Sequence, residues 1–144
     1  MYAAQRFPGE PRSASLARRF VTGVLTDCGR ADAADVAALL VTELVTNAVL
    51  HAGSDVEVSV DAPAGDHIRV EVFDESPVAP SPRRHSLTAA TGRGLQLVAE
   101  LARAWGVDPV PDGKRIWFTL TENAADPTPN LDGWLTYDEM QAWA

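Results

Sequence analysis

The stretch Glu43-Leu-Val-Thr-Asn47-Ala-Val-Leu-His51 places three functional side chains four residues apart in an otherwise largely apolar segment. A four-residue step along an α-helix advances only about 40° around its axis, so these side chains form one stripe. The opposite half of the helix is apolar and consists of Ala37, Ala38, Val41, Leu44, Val45, Ala48, Val49 and Ala52. The stretch therefore predicts a helix that packs one half into a core. Its other half directs a carboxylate and a carboxamide away from that core.

Two interpretations of this polar stripe are open. A solvated helix face is the ordinary explanation of such a pattern. The same half of the helix also carries apolar side chains, which favours a partly covered cleft, at Val36, Leu39, Leu40 and Leu50. A carboxylate and an amide oxygen in a cleft suit a magnesium–nucleotide site, because such a site requires a hard oxygen donor and a general base.

The composition excludes several classes of function. A chain of 144 residues predicts one domain with a sizeable core. The net charge of −8 argues against duplex DNA or an anionic membrane as the main partner, because phosphate groups bind to basic surfaces. Cys28 is the only cysteine, which excludes an internal disulfide and a zinc site built from cysteines. We expect neither a signal peptide nor a membrane span, and therefore a cytoplasmic protein.

The first part of the chain predicts a strand and a helix. A short edge strand is expected over residues 2–7. Apolar residues then recur at helical spacing over residues 13–28, with Ser13 or Ser15 as the cap and Gly29 as the stop.

The remaining elements complete a sheet and its helices. Asp32 is the expected cap of the second helix, which ends at Gly53. The alternating runs 55–62 and 67–74 predict an antiparallel hairpin, and a second hairpin is predicted over residues 105–121. Helices on one face of a mostly antiparallel sheet give an α+β fold, a two-layer α/β sandwich.

Two further features suit a nucleotide. Gly92-Arg93-Gly94 opens an apolar helix; glycines let the backbone approach an anion, and the N–H groups of a first helical turn point at it. Taken alone, these glycines are more typical of a structural turn than of a phosphate site. Asp74 ends an apolar strand, where a carboxylate can accept a hydrogen bond from an amino group such as that of adenine. An ordinary turn-initiating aspartate is the alternative.

Three features follow one another along the chain: Glu43-x-x-x-Asn47 on a helix, Asp74 at a strand end and Gly92-x-Gly94-Leu95 at a helix start. Together and in this order they resemble the GHKL superfamily of ATPases and kinases. The helix stretch is most similar to the small anti-sigma factor serine/threonine kinases, and the run Gly92-Arg-Gly-Leu-Gln-Leu-Val98 to their actinobacterial relatives. The resemblance covers residues 10–122, which are then the ATP-binding kinase domain with a Bergerat-type fold. Residues 123–144 carry four acidic and no basic side chains and are expected to form a linker and extension.

The resemblance implies a role for each site residue. Asn47 would bind Mg²⁺, and Glu43 would act as the general base that polarises a substrate hydroxyl or a water. Asp74 would bind the amino group of adenine. A lid over residues 76–91 would close on ATP, and its phosphates would be held by Gly92, Arg93, Gly94 and Leu95.

The resemblance also implies partners: a sigma factor and an anti-anti-sigma protein of the STAS type as phosphorylated substrate. It makes a homodimer plausible, while the acidic charge predicts no direct contact to nucleic acid or membrane. One departure keeps a second hypothesis open, because the family pattern Asp-x-Gly-x-Gly reads Asp74-Glu-Ser-Pro-Val78 here. The alternative is a regulatory module of weak or no catalytic activity that sequesters a partner. A detached catalytic domain of a histidine kinase is a third interpretation.

Overall fold

The computed structural model describes residues 1–63, 67–75 and 98–121. In chain order the elements are β1 (Tyr2–Phe7), α1 (Ser13–Asp27), α2 (Ala31–Ala52), β2 (Val56–Asp61), β3 (Ile68–Asp74), β4 (Ala104–Val110) and β5 (Gly113–Leu120). Residues 98–101 are also helical. The predicted lid 76–91, the predicted phosphate-binding residues 92–95 and the predicted extension 123–144 lie outside the described residues.

The five strands form one antiparallel sheet in the order β1-β2-β3-β5-β4. The helices α1 and α2 pack against each other and on one face of this sheet. The predicted two-layer α+β sandwich is therefore confirmed. Both predicted hairpins are present as β2–β3 and β4–β5, and β5 lies between β3 and β4.

The core lies between the sheet and α2. Alternate residues of β2 and β3 are buried and face the apolar half of α2. Each fully buried aliphatic side chain contributes about 1.5–3 kcal/mol, so packing holds α2 in place more than helix propensity does. The central residues of this layer are Val58, Val60, Val70, Val72, Val41, Leu44 and Val45.

The predicted helix caps are wrong. In the described part of the chain, neither helix start shows a hydrogen bond from a capping side chain. Ser13 is engaged elsewhere, since its Oγ donates to the carbonyl oxygen of Pro8 at 2.5 Å and ties α1 to the end of β1. Ser15 lies inside α1. Asp32 lies in the first turn of α2, where its carboxylate accepts a hydrogen bond from Arg30 and complements the helix dipole.

The predicted ends of both helices are confirmed. Gly53 follows α2 with φ of 64°, and Gly29 follows the C-cap of α1 with φ of 81°, which is the left-handed conformation that glycine adopts at low cost. The short connection after Gly53 leads directly to the start of β2 at Val56. The C-terminal end of α2 is therefore placed at one end of the sheet.

Helix α2 contains a longer apolar segment than we expected. The segment Ala31–His51 is long and apolar enough to cross a membrane by length and composition, whereas we expected no such segment. However, 56% of this window is buried inside the fold. The core helix of a folded domain passes the same test, so this feature is weak evidence for a membrane.

Candidate functional site

The polar stripe of α2 is not a solvated face. Asn47 is only 4% exposed. Glu43 and His51, one helical turn before and after it, are half-buried. At a rise of about 1.5 Å per residue, Glu43 and Asn47 lie about 6 Å apart along the helix axis. The carboxylate and the amide therefore occupy a partly covered position, as the cleft interpretation requires.

Asn47 carries the clearest sign of an external ligand. Within residues 1–63, 67–75 and 98–121, neither its Oδ1 nor its Nδ2 has a hydrogen-bond partner. Leaving a buried amide unsatisfied costs about 1–3 kcal/mol, so such groups call for a functional explanation. An amide oxygen is a hard donor of the kind that Mg²⁺ binds. The side chain therefore fits a magnesium ion held jointly with phosphate oxygens.

The two threonines on the same half of α2 serve the helix itself. Thr42 Oγ1 donates to the carbonyl oxygen of Ala38 at 2.6 Å, and Thr46 Oγ1 donates to that of Thr42 at 2.7 Å. Bonds of this kind occupy the hydroxyl hydrogens within the helix. Of the polar side chains on this half, the carboxylate of Glu43 and the amide of Asn47 are therefore better suited to act on a ligand.

The apolar side chains on the polar half divide between core and surface. Leu40 is fully buried, whereas Leu50 is 59% exposed. This half of α2 is therefore partly covered, in agreement with the expected cleft. Helix α1 packs against α2, so the buried arc of α2 is wider than the part that faces the sheet.

Asp74 ends β3 inside the protein and is not a solvated turn residue. It is 2% exposed, and in the register of β3 with β5 it lies opposite Lys114. The Nζ atom of Lys114 is 3.9 Å from Asp74 Oδ2, and the lysine side chain is 11% exposed. A buried carboxylate requires a compensating charge or hydrogen bonds, and this ammonium group supplies one such charge.

Gly113 allows β5 to approach the end of β3. A Cβ atom at this position would overlap the backbone carbonyl oxygen of Asp74. From sequence, the second predicted hairpin has its turn at Pro111-Asp112-Gly113-Lys114, and neither Gly113 nor Lys114 has a role in the predicted site. In the structure the turn consists of Pro111 and Asp112, and β5 begins at Gly113. Only the register of β5 with β3 identifies these two residues as part of the site, because it places them beside Asp74.

The topology brings the end of α2 and Asp74 to the same end of the sheet. The connection after α2 leads into Val56, which lies opposite Asp74 in the register of β2 with β3. Lys114 lies on the other side of Asp74 in β5. The C-terminal end of α2, the start of β2 and Asp74 therefore lie at the same end of the sheet.

The first residue after Asp74 is held by neighbouring elements. Arg6 of β1 donates to the carboxylate of Glu75 and, at 3.5 Å, to that of Asp55. The backbone N–H of Glu75 donates to Ser54 Oγ at 3.2 Å. The hydrogen bond with Glu75 raises the pKa of the Arg6 guanidinium. Exposed ion pairs add little to stability, so the main effect of these contacts is to fix where the chain leaves β3.

Part of the predicted site cannot be located. Gly92, Arg93, Gly94 and Leu95 lie outside the described residues, so their contact with phosphates stays a prediction. Among residues 1–63, 67–75 and 98–121, no three His, Cys, Asp or Glu side chains come together as a metal site. Mg²⁺ at a nucleotide needs no such cluster, because waters and phosphates fill most of its coordination positions.

The structure is an α+β two-layer domain in which the polar side chains of Asn47 and Asp74 are buried. Residues 7–120 match the histidine kinase-like ATPase domain family. This match covers most of the chain, and the protein therefore belongs to that family within the GHKL-like ATPases. Domains of this kind bind ATP, usually with Mg²⁺, which agrees with the amide of Asn47. No curated protein matches the chain.

Proposed function

We propose that this protein is an ATP- and magnesium-dependent serine/threonine protein kinase of the anti-sigma factor type. It binds a sigma factor and phosphorylates an anti-anti-sigma partner of the STAS type. The observation that supports the nucleotide site best is the buried amide of Asn47, which has no hydrogen-bond partner within the described residues. The half-buried carboxylate of Glu43, one turn away, is suited to the transfer step.

In this proposal α2 and β3 hold the two ends of the nucleotide. Asn47 would bind the magnesium ion through Oδ1, and the ion would neutralise phosphate charge. Asp74 would accept a hydrogen bond from the amino group of adenine. The backbone N–H groups near residues 92–95 would face the phosphates, as helix starts do in other phosphate sites.

Glu43 would act on the substrate hydroxyl. Its carboxylate would accept the hydrogen bond of a serine or threonine side chain and orient the oxygen toward the terminal phosphoryl group of ATP. As the new phosphorus–oxygen bond forms and ADP leaves, the hydroxyl proton would pass to Glu43. Phosphoryl transfer depends mainly on positioning and charge neutralisation, so one carboxylate beside the metal-binding residue suffices for this role.

A second candidate function is a regulatory module that binds a nucleotide and sequesters a partner with little turnover. The segment after Asp74 favours this candidate, because the run 74–78 lacks both glycines of the family pattern. Glycines there would permit close backbone approach to a ligand. Glu75, the first residue of this segment, is also tied to Arg6 and Ser54.

The test is the transfer of labelled phosphate from ATP to candidate STAS-type proteins. We expect Glu43→Gln to lower the transfer rate by about 10²–10⁴-fold while ATP binding changes little, which is the range for loss of a general base. The control is Glu57→Gln, since Glu57 is an exposed carboxylate on β2. Equal transfer by the Glu43 variant would remove that residue from the mechanism. Tight ATP binding by the wild type without transfer to any candidate would favour the module.

A further inference from the structure

Asp74 and Lys114 present two opposite hydrogen-bonding groups side by side. A carboxylate accepts hydrogen bonds, and an ammonium group donates them. The two groups lie opposite each other in neighbouring strands, 3.9 Å apart, and both side chains are largely buried. A base that reached Asp74 would therefore also meet the donor groups of Lys114.

The two purine bases differ in what they present to such a pair. Adenine carries an amino group at C6, which donates to a carboxylate. Guanine carries a carbonyl oxygen at C6, which a lone carboxylate repels because both are acceptors. An ammonium group beside the carboxylate removes this conflict: it donates to the guanine oxygen while the carboxylate accepts from the neighbouring ring N–H.

We propose that Lys114 is a specificity-determining residue of the base pocket, and that its ammonium group lets the site bind guanine nucleotides as well as adenine nucleotides. This inference rests on the proposed function, since it takes Asp74 to be the group that binds the base. The carbonyl oxygen of Asp74 leaves no room for a side chain at Gly113. Lys114, the next residue, is therefore held beside the carboxylate by the backbone of β5.

A purely structural role for Lys114 makes a different prediction. A lysine that only compensates the charge of Asp74 would affect the binding of both nucleotides equally. A lysine that faces the base would change the ratio of the two affinities when it is replaced. The ratio of the dissociation constants for GTP and ATP therefore separates the two roles.

The experiment is calorimetric titration of Mg-ATP and Mg-GTP into the wild type, Lys114→Met and Lys114→Arg. We expect the wild type to bind GTP within about tenfold of ATP. In Lys114→Met the GTP affinity falls at least about tenfold more than the ATP affinity, which is the scale of one lost base contact. Lys114→Arg keeps a donor and retains the wild-type ratio. The matched control is Arg115→Met, because Arg115 lies on the same strand and pairs with Glu71 instead.

Lys114→Met leaves the Asp74 carboxylate without this counter-charge and therefore lowers stability. Partial unfolding weakens the binding of both nucleotides by the same factor, so it does not change the ratio of their dissociation constants. A second measurement uses the wild type itself: Lys114 is the only lysine, so selective isotope labelling gives one lysine side-chain signal by NMR. Its chemical shift is expected to differ between the ATP-bound and GTP-bound protein.

The outcomes separate this inference from the proposed function. A wild type that binds ATP but binds GTP more than about a hundredfold more weakly overturns the role of Lys114 and leaves the ATP site intact. The role of Lys114 is also overturned if Lys114→Met keeps the wild-type ratio of the GTP and ATP dissociation constants. The same holds if the lysine chemical shift is identical in the ATP-bound and GTP-bound protein. A wild type that binds neither nucleotide overturns both proposals.

Discussion

The carbonyl oxygen of Asp74 and a side-chain carbon at Gly113 would occupy the same space. The absence of a side chain at Gly113 is therefore what lets β5 pair with the end of β3 and bring Lys114 to the buried carboxylate. This contact links the packing of two strands to the group proposed to bind the base, and it makes Gly113 the first residue to test.

Gly113→Ala is expected to lower the free energy of unfolding by about 1–3 kcal/mol, the usual cost of overpacking, and to weaken ATP binding because Asp74 must shift. Chemical denaturation and calorimetry measure the two effects. The control is Gly23→Ala in α1, where an added Cβ would meet no described atom within 4 Å. This control should gain about 0.5–1 kcal/mol, since alanine favours helix. Unchanged stability and binding in Gly113→Ala would refute the assigned contact.

Asn47→Leu should raise the free energy of unfolding of the nucleotide-free protein by about 1 kcal/mol or leave it unchanged. The substitution keeps the approximate size and removes a buried amide that lacks a partner within the described residues. An asparagine with a purely structural role would instead lose stability on replacement. Urea denaturation without nucleotide makes the comparison, and a loss of more than about 2 kcal/mol would contradict the ligand role.

Leu40→Ala and Leu50→Ala form a matched pair on α2. The first should cost about 2–5 kcal/mol because it leaves a cavity at a fully buried position. The second should change stability by less than about 0.5 kcal/mol because Leu50 is exposed. Thermal and chemical denaturation give both values. Similar costs for the two variants would show that the buried arc of α2 has been placed incorrectly.

Arg6→Gln tests the contacts of the residue that follows Asp74. The pair with Glu75 is exposed, so the midpoint of thermal unfolding should change little. The release of bound ATP should become faster by a few-fold, since the chain after β3 loses one of its anchors. Stopped-flow measurement with a fluorescent ATP analogue gives the rate, and Arg12→Gln, which removes another exposed ion pair, is the control. An unchanged release rate would show that this anchor has no effect on the nucleotide.

Local patterns were sufficient to predict most of the fold. The alternating valines of β2 and β3 and the glycines after α1 and α2 act within a few residues, so their consequences could be read from the sequence. The polar stripe of α2 likewise indicated Glu43 and Asn47, because helical periodicity alone places them together.

Long-range contacts could not be predicted in the same way. Ser13 was one of two expected caps of α1, but its hydroxyl donates to the carbonyl oxygen of Pro8 where α1 packs beside β1. Lys114 meets Asp74 only because β5 pairs with β3 across a long stretch of chain, and no local pattern specifies that register. Gly113 and Lys114 were therefore missed as site residues until the sheet order was known.

The central claim is that the amide of Asn47 holds the magnesium ion of a bound nucleotide. Its most direct test is to measure the affinity for ATP, with and without Mg²⁺, in the wild type and in Asn47→Leu. We predict that Mg²⁺ strengthens ATP binding to the wild type by at least about tenfold and has little effect on the folded variant. An equal gain from Mg²⁺ in both proteins would contradict the claim.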